Sequence, residues 1–201
     1  MAGDADSRPT SGAGNFSSAA QGGGMTVEEC QNMIQRSLRT PMVKFLKEHL
    51  EKSGCSIGSN FIKAVNCEEA TAGGYVAGGG IVVCSNHLQL QDEVTQVVIH
   101  ELIHAYDDCR AANLDWTNCA HHACSEDVTG LSPLKLFREL LVLPNLQVLR
   151  PIEIPVMDCI RRRVMKSVTA NPYCSEAAAK DAMEAVWDVC YNDTKPFDRA
   201  P

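Results

Sequence analysis

The chain has 201 residues, 18 Lys and Arg against 25 Asp and Glu, and a formal net charge of −7, a size that suits one compact domain and is short for two. The acidic balance excludes a nucleic-acid surface spread over the protein, because phosphate contacts need excess Lys and Arg. There is also no apolar run of the roughly 18 residues that a membrane-spanning helix needs.

Residues 1–24 are rich in Gly, Ser and Ala and are expected to be a disordered tail. They contain no apolar leader segment, and with two acids and one Arg they do not resemble a transit peptide. Order is predicted from Thr26, where Glu29 follows at capping-box spacing and Val27, Cys30, Ile34 and Leu38 recur with a helical period. Pro41 suits the start of a second helix and Gly54 its end. Between 60 and 84, short apolar runs separated by glycines predict two or three strands, the clearest being "GGGIVVCSN" at 78–86. Asn86 is placed to cap the next helix, which runs from about Gln91 with Val94, Val97, Val98, Leu102 and Ile103 on its apolar side. After a polar turn at 113–118, "CAHHACSE" at 119–126 reads as helix.

Residues 127–157 differ in character. Pro144, Pro151 and Pro155 and the lack of a sustained period argue against a stable helix there. Helical pattern returns at Cys159–Val168, whose basic cluster "RRRVMK" (Arg161–Lys166) reads as a solvated helix face. It returns again after Ser175, a predicted cap, with Met183, Val186, Trp187 and Cys190 on one face. Trp116 and Trp187 are expected in the core, and His49 and His87 at the surface or at caps.

The ten cysteines, about 5% of the chain, stand apart with no Cys-x-x-Cys pair. That spacing argues against a four-thiolate zinc knuckle, whereas the even count fits up to five disulfides and hence an oxidising compartment.

One stretch carries chemistry. In "VVIHELIHAYDDCR" (Val97–Arg110), His100 and His104 lie one helical turn apart, so both imidazoles project from one side and can share a metal ion. Two imidazoles suit zinc, and Glu101 lies beside that face, placed to take a proton from a water acidified by the ion. The pattern predicts peptide-bond hydrolysis without a covalent intermediate. A Gly-rich strand ahead of the motif could pair with an extended substrate, with Gly78–Gly80 allowing close approach. A catalytic zinc site needs a third protein ligand. Arg110 stands where the metzincin pattern asks for a histidine, which leaves Glu126, His122, His121 and Asp108. Glu126, on the next predicted helix as in glutamate-zincins, is favoured. Asp107 and Asp108 are more naturally groups that orient a ligand or cap the helix end. "GGYVAGGG" lacks the strand-to-helix context of a phosphate-binding loop.

The blocks "GIVVCSN", "HELIHAYDDCR", "NCAHHACSE" and the C-terminal "RRRVMKSVTANPYCSEAAAKDAMEAVWDVCYNDTKPFDRAP" resemble the mitochondrial inner-membrane metalloproteases that mature an ATP synthase subunit, a family also described as Ku-binding. The likeness covers about 26–126 and 159–201. It implies an α+β, zincin-like domain over 25–201, a small mixed sheet packed on the His-Glu-x-x-His helix with flanking helices. It also implies Zn2+ held by His100 and His104, and Glu101 as catalytic base. The implied setting is the intermembrane-space side of the inner membrane, with peripheral attachment. There the protein would cut the precursor of an ATP synthase membrane-sector subunit and assist assembly. Members are cysteine rich and fold by oxidation. Where the family continues after "HHACSE" with an Ile-Arg-Ala type sequence and a loop bearing Cys and His, this chain has Asp127-Val128-Thr129-Gly130 and rejoins the pattern near Asp158. Two other readings are a non-proteolytic assembly factor and a partner of the DNA-end-binding Ku complex.

Overall fold

The computed structural model describes residues 23–126 and 150–190, without the side chains of 150–157 and 159. Residues 1–22 of the expected disordered tail (1–24), residues 127–149 of the atypical stretch (127–157) and the C-terminal residues 191–201 lie outside the described residues. The architecture is α+β: six helices and one three-stranded sheet, arranged around two separate apolar cores.

The first core is built by α1 (Val27–Ser37), α2 (Pro41–Lys52), the sheet and α3 (Gln91–Arg110). The Thr26 hydroxyl accepts from the Glu29 N–H at 3.2 Å, while the Glu29 carboxylate accepts from the Thr26 N–H at 2.9 Å. This is the capping box expected from sequence, a device worth about 1 kcal/mol. Cys30 and Ile34 of α1, Val43, Leu46 and Leu50 of α2, and Val94, Val98 and Leu102 of α3 interlock with Ile62, Ile81 and Val83 of the sheet. Ser37 is buried among them without penalty, because its hydroxyl donates to the Met33 carbonyl and meets the Thr95 hydroxyl at 2.8 Å.

The sheet has three strands, β1 (Ile62–Val65), β2 (Gly73–Val76) and β3 (Gly80–Cys84), in the order β1-β3-β2. β3 runs parallel to β1 and antiparallel to β2, with Gly74 opposite Val82 and Tyr75 opposite Ile81. The Gly-rich "GGGIVVCSN" strand is therefore central and cannot take up a substrate. Gly78 and Gly80, at φ 71° and 98°, serve the turn that reverses the chain from β2 to β3. The outer edge belongs to β2, and Gly73 brings it close to α3: a Cβ there would lie 2.6 Å from a Val97 methyl and 2.7 Å from the Val82 carbonyl. At the opposite margin, Gln31 of α1 accepts from the Ala64 N–H and covers β1. Asn86 does not cap α3. Its amide bonds both main-chain groups of Cys67, and Glu93 satisfies the free N–H groups of Gln89 and Leu90 instead.

The second core lies between helical residues 119–126 (α4), α5 (Arg150–Ala170) and α6 (Glu176–Cys190). It consists of Ala123, Ile160, Val164, Val168, Cys174, Ala179, Met183 and Trp187. Helix α5 begins nine residues before the expected Cys159 and takes in Pro151 and Pro155. Pro151 sits in the first turn, where its missing N–H would have no partner anyway, so only Pro155 forfeits a helical bond. Ser175 caps α6 as anticipated, its hydroxyl accepting from the Ala178 N–H at 3.2 Å.

Eight cysteines form four disulfides: Cys55–Cys109, Cys67–Cys84, Cys119–Cys174 and Cys124–Cys190. Cys30 is a buried free thiol whose pKa burial raises to about 11, and the side chain of Cys159 lies outside the described set. No helix among the described residues is long and apolar enough to cross a membrane.

A candidate metal centre between the two cores

The first core presents His100, Glu101 and His104 on the outward side of α3, and the second presents Glu126 at the end of α4. The Nε2 atoms of His100 and His104 are 3.1 Å apart. Glu126 places one carboxylate oxygen 3.2 Å from His104 Nε2 and the other 3.7 Å from His100 Nε2. Each residue brings one donor atom within 4.8 Å of the other two, against the ~3.3 Å that a tetrahedral zinc with bonds of ~2.0–2.1 Å sets between its donors, so a small closure lets the three hold one ion with a fourth position open. The two nitrogens and one carboxylate oxygen are also the donor set of a catalytic rather than a structural zinc site.

A chain of buried hydrogen bonds orients this group. His104 Nδ1 donates to the Ser125 hydroxyl at 2.8 Å, and Ser125 donates onward to Asp107 Oδ2 at 2.7 Å. That arrangement sets the tautomer in which His104 Nε2 keeps a lone pair facing the centre. On the far side, Ser167 of α5 donates to Glu126 Oε1 at 2.6 Å. Burial works against charge on both His104 and Glu126, but their mutual attraction prevails. It raises His104 to about 9 and holds Glu126 well below the usual carboxylate range. Burial and the neighbouring His104 push His100 down instead. Glu101 is raised to about 7, mainly by burial, with His104 and the Tyr75 backbone N–H pulling the other way. It is therefore poised near neutrality in the metal-free site.

The remaining third-ligand candidates go elsewhere. His121 accepts from the Asp115 N–H at 3.1 Å in the preceding turn. Asp108 accepts from the Tyr75 hydroxyl at 2.7 Å and from Trp116 Nε1 at 3.1 Å, fixing two aromatic walls. His122 is held through Nδ1 by the Asn171 amide at 3.0 Å, and its Nε2 lies 3.6 Å from the Glu126 carboxylate, beside the donor triad rather than within it.

The triad opens into a cleft of about 740 Å³. Residues 70–75, ending in the edge of β2 that is unpaired among the described residues, form one wall, and Arg163, Lys166, Ser167 and Ala170 of α5 with Asn171 just beyond it form the other. Trp116 closes one end and is not a core residue: its ring meets those of His104 and His122 edge-on, at 5.6 and 5.9 Å. The part played by α5 is hidden in sequence, where Ser167 is an ordinary polar helix residue, Asn171 lies just past the helix end, and Arg163 and Lys166 read as a solvated face. The one available signal is spacing, since 163, 166, 167 and 170 form a single helical stripe.

The chain is 37% identical over 162 residues to the "Mitochondrial inner membrane protease ATP23" of Yarrowia lipolytica, covering 79% of this chain and 63% of that protein. To the protein of the same name from Schizosaccharomyces pombe it is 34% identical over 170 residues, 83% of this chain and 90% of the relative. To the "Mitochondrial inner membrane protease ATP23 homolog" of Homo sapiens it is 34% identical over 184 residues, 87% of this chain and 71% of the relative. It spans just under two thirds of the length of the Yarrowia lipolytica and Meyerozyma guilliermondii relatives, 63% and 65%. No solved structure matches the chain. The Peptidase M76 family profile matches residues 28–198, and together with these identities over most of its length this establishes that the chain belongs to the Peptidase M76 family.

Proposed function

We propose that this chain is a zinc metalloendopeptidase of zincin-like fold, with His100, His104 and Glu126 as metal ligands and Glu101 as general base. The observation that carries the reading is the convergence of three donor groups within 4.8 Å of one another in a cleft, beside a buried carboxylate and a strand edge left unpaired among the described residues.

Bound zinc supplies Lewis acidity, polarising the scissile carbonyl and acidifying a water. The chain's own groups do the rest. The free edge of β2 offers main-chain donors and acceptors to an extended peptide. Gly73 and Gly74 leave that edge without bulk, and Gly73 seats it against α3. Glu101, turned toward this strand and linked to the Tyr75 N–H, takes a proton from the attacking water and returns it to the leaving amine. Ser125 and Asp107 keep His104 oriented, and Ser167 keeps Glu126 oriented.

The names of the relatives and the four disulfides, which form in an oxidising compartment, support the setting. We place the protein at the mitochondrial inner membrane, peripherally attached on the intermembrane-space side, where it cuts the precursor of an ATP synthase membrane-sector subunit and assists assembly of that complex. The test is Glu101→Gln: about one zinc per chain remains bound, the precursor stays uncut, and assembly is scored separately. Cleavage that survives the substitution removes Glu101 from the reaction. A precursor cut normally in cells lacking the protein overturns the substrate.

A further inference from the structure

We propose that the cleft selects peptides carrying an acidic side chain close to the scissile bond, with Arg163 and Lys166 of α5 as the specificity-determining pair. This rests on the peptidase reading above and extends it to a substrate class.

The basic cluster on α5 divides in two. Arg161 lies over the Trp187 ring at 4.4 Å, and Arg162 donates to the Asp158 carbonyl at 3.2 Å, so both are engaged along the helices of the second core. Arg163 and Lys166, one turn apart, line the cleft instead, and both are exposed. Neither has an ion-pair partner among the described residues. Arg163 is also near enough to the centre to act on the charge of His100.

The charge count of the cleft then decides what it attracts. Among the described residues its lining carboxylates are Glu101 and Glu126, both buried at the metal face, and together they balance one divalent ion. The opposite wall, Ala70 to Tyr75, is uncharged. What remains are two cations facing a peptide stretched along β2, within a chain whose net charge is −7. A cleft lined by one sign of charge focuses such a field on whatever enters. Exposed ion pairs are individually weak, about 5-fold at most each, so the pair should act as a selector among peptides rather than as the source of binding.

The test uses the zinc-loaded full chain and peptides that differ only by Glu, Gln or Lys at each of three positions on either side of the cut. Cleavage sites are read by mass spectrometry and kcat/KM is measured for each peptide. The expected result is a Glu-over-Gln preference of about 5- to 10-fold at one or two positions, Lys being poorest, shrinking as salt rises from 0.05 to 0.5 M, estimates set by exposed pairing and screening. In Arg163→Gln/Lys166→Gln the ratio should approach one, and in Arg163→Glu/Lys166→Glu it should invert toward Lys. Equal cleavage of Glu, Gln and Lys peptides by the unmodified protein, or a preference untouched by salt, overturns the inference and leaves the peptidase intact. The salt series needs no variant, so it decides even if the charge reversals fail to fold. Failure to cut any peptide sinks the peptidase reading and this inference with it.

Discussion

The two halves of the molecule reach order by different means. Residues 25–110 bury a broad apolar core in which α1, α2, α3 and the sheet all share, and their two disulfides, Cys55–Cys109 and Cys67–Cys84, supplement a structure already held by side-chain burial. Among the described residues, the half formed by α4, α5 and α6 gathers eight buried residues in its core, and Cys119–Cys174 and Cys124–Cys190 bind α4 to the chain around α6. No disulfide among the described residues crosses between the halves. What joins them, besides the 111–118 connection, is the polar cluster at the centre: His104 to Ser125, Ser125 to Asp107, and both histidines to Glu126. A metal ion there would be a clamp as well as a catalyst, because metal affinity becomes structural free energy when the ligands come from separate units.

The largest effect should come from cutting the clamp at its second-half end. Glu126→Ala should abolish cleavage and lower zinc affinity by more than the ~10- to 100-fold that loss of an outer partner costs. His122→Ala should leave about one zinc per chain. Metal content by mass spectrometry separates the two, and loss of zinc from His122→Ala alone would exchange their roles.

Next comes the covalent asymmetry. The 66-residue loop closed by Cys124–Cys190 is worth about 4 kcal/mol against about 3 kcal/mol for the 17-residue loop of Cys67–Cys84. Removing the first pair by substitution to Ala should also release α4 and with it the metal, whereas removing the second should lower the melting temperature with zinc retained. Equal zinc retention in both variants would dissolve the contrast between the halves.

Chelation probes the same boundary without mutation. Zinc present at ~1,000 times its dissociation constant stabilises by ~4 kcal/mol, so its removal should be plain in thermal unfolding. Amide exchange should quicken first at 119–126, while Val98 and Leu102 in the first core stay protected.

A smaller loss, ~10- to 100-fold in zinc affinity, is expected for Ser125→Ala, with partial recovery in Ser125→Thr. The gentlest lever is pH. Because Glu126 raises His104 in the metal-free protein, their ion pair stabilises fully below the ordinary histidine value near 6.5 and is lost as pH rises through about 9. Zinc needs His104 unprotonated, so affinity should rise with pH over that range, with about one proton released per ion in a buffer-dependent calorimetric titration.

How much of this was legible in the chain depends on distance along it. The Thr26–Glu29 box, the Ser175 cap and the turn of helix that aligns His100 with His104 are local, and three or four residues suffice to specify them. Their readings agree with the structure at the level of those residues. Helical structure over 150–158 is not legible because Pro151 and Pro155 read as breakers when their place near a helix start is unknown. The strand edge was assigned to the wrong segment because 78–86 has the stronger apolar run, and strong runs belong in the middle of a sheet. Trp116 was counted as core, since composition cannot distinguish an aromatic that fills a core from one that walls a cleft.

By itself, the sequence determined most of the helices, the Thr26 and Ser175 caps, the short strands between 60 and 84 and the presence of a His-Glu-x-x-His face, all of which follow from backbone periodicity and nearby hydrogen-bonding partners. Only tertiary structure decided which cysteines meet, that Glu126 rather than His121 or Asp108 faces the two imidazoles, and that Arg163, Lys166, Ser167 and Asn171 look into the cleft. Those outcomes depend on contacts between segments far apart in the chain, 54 to 66 residues for three of the four disulfides and 41 for Ser167 with Glu126, and no local period records the direction in which one helix will face another.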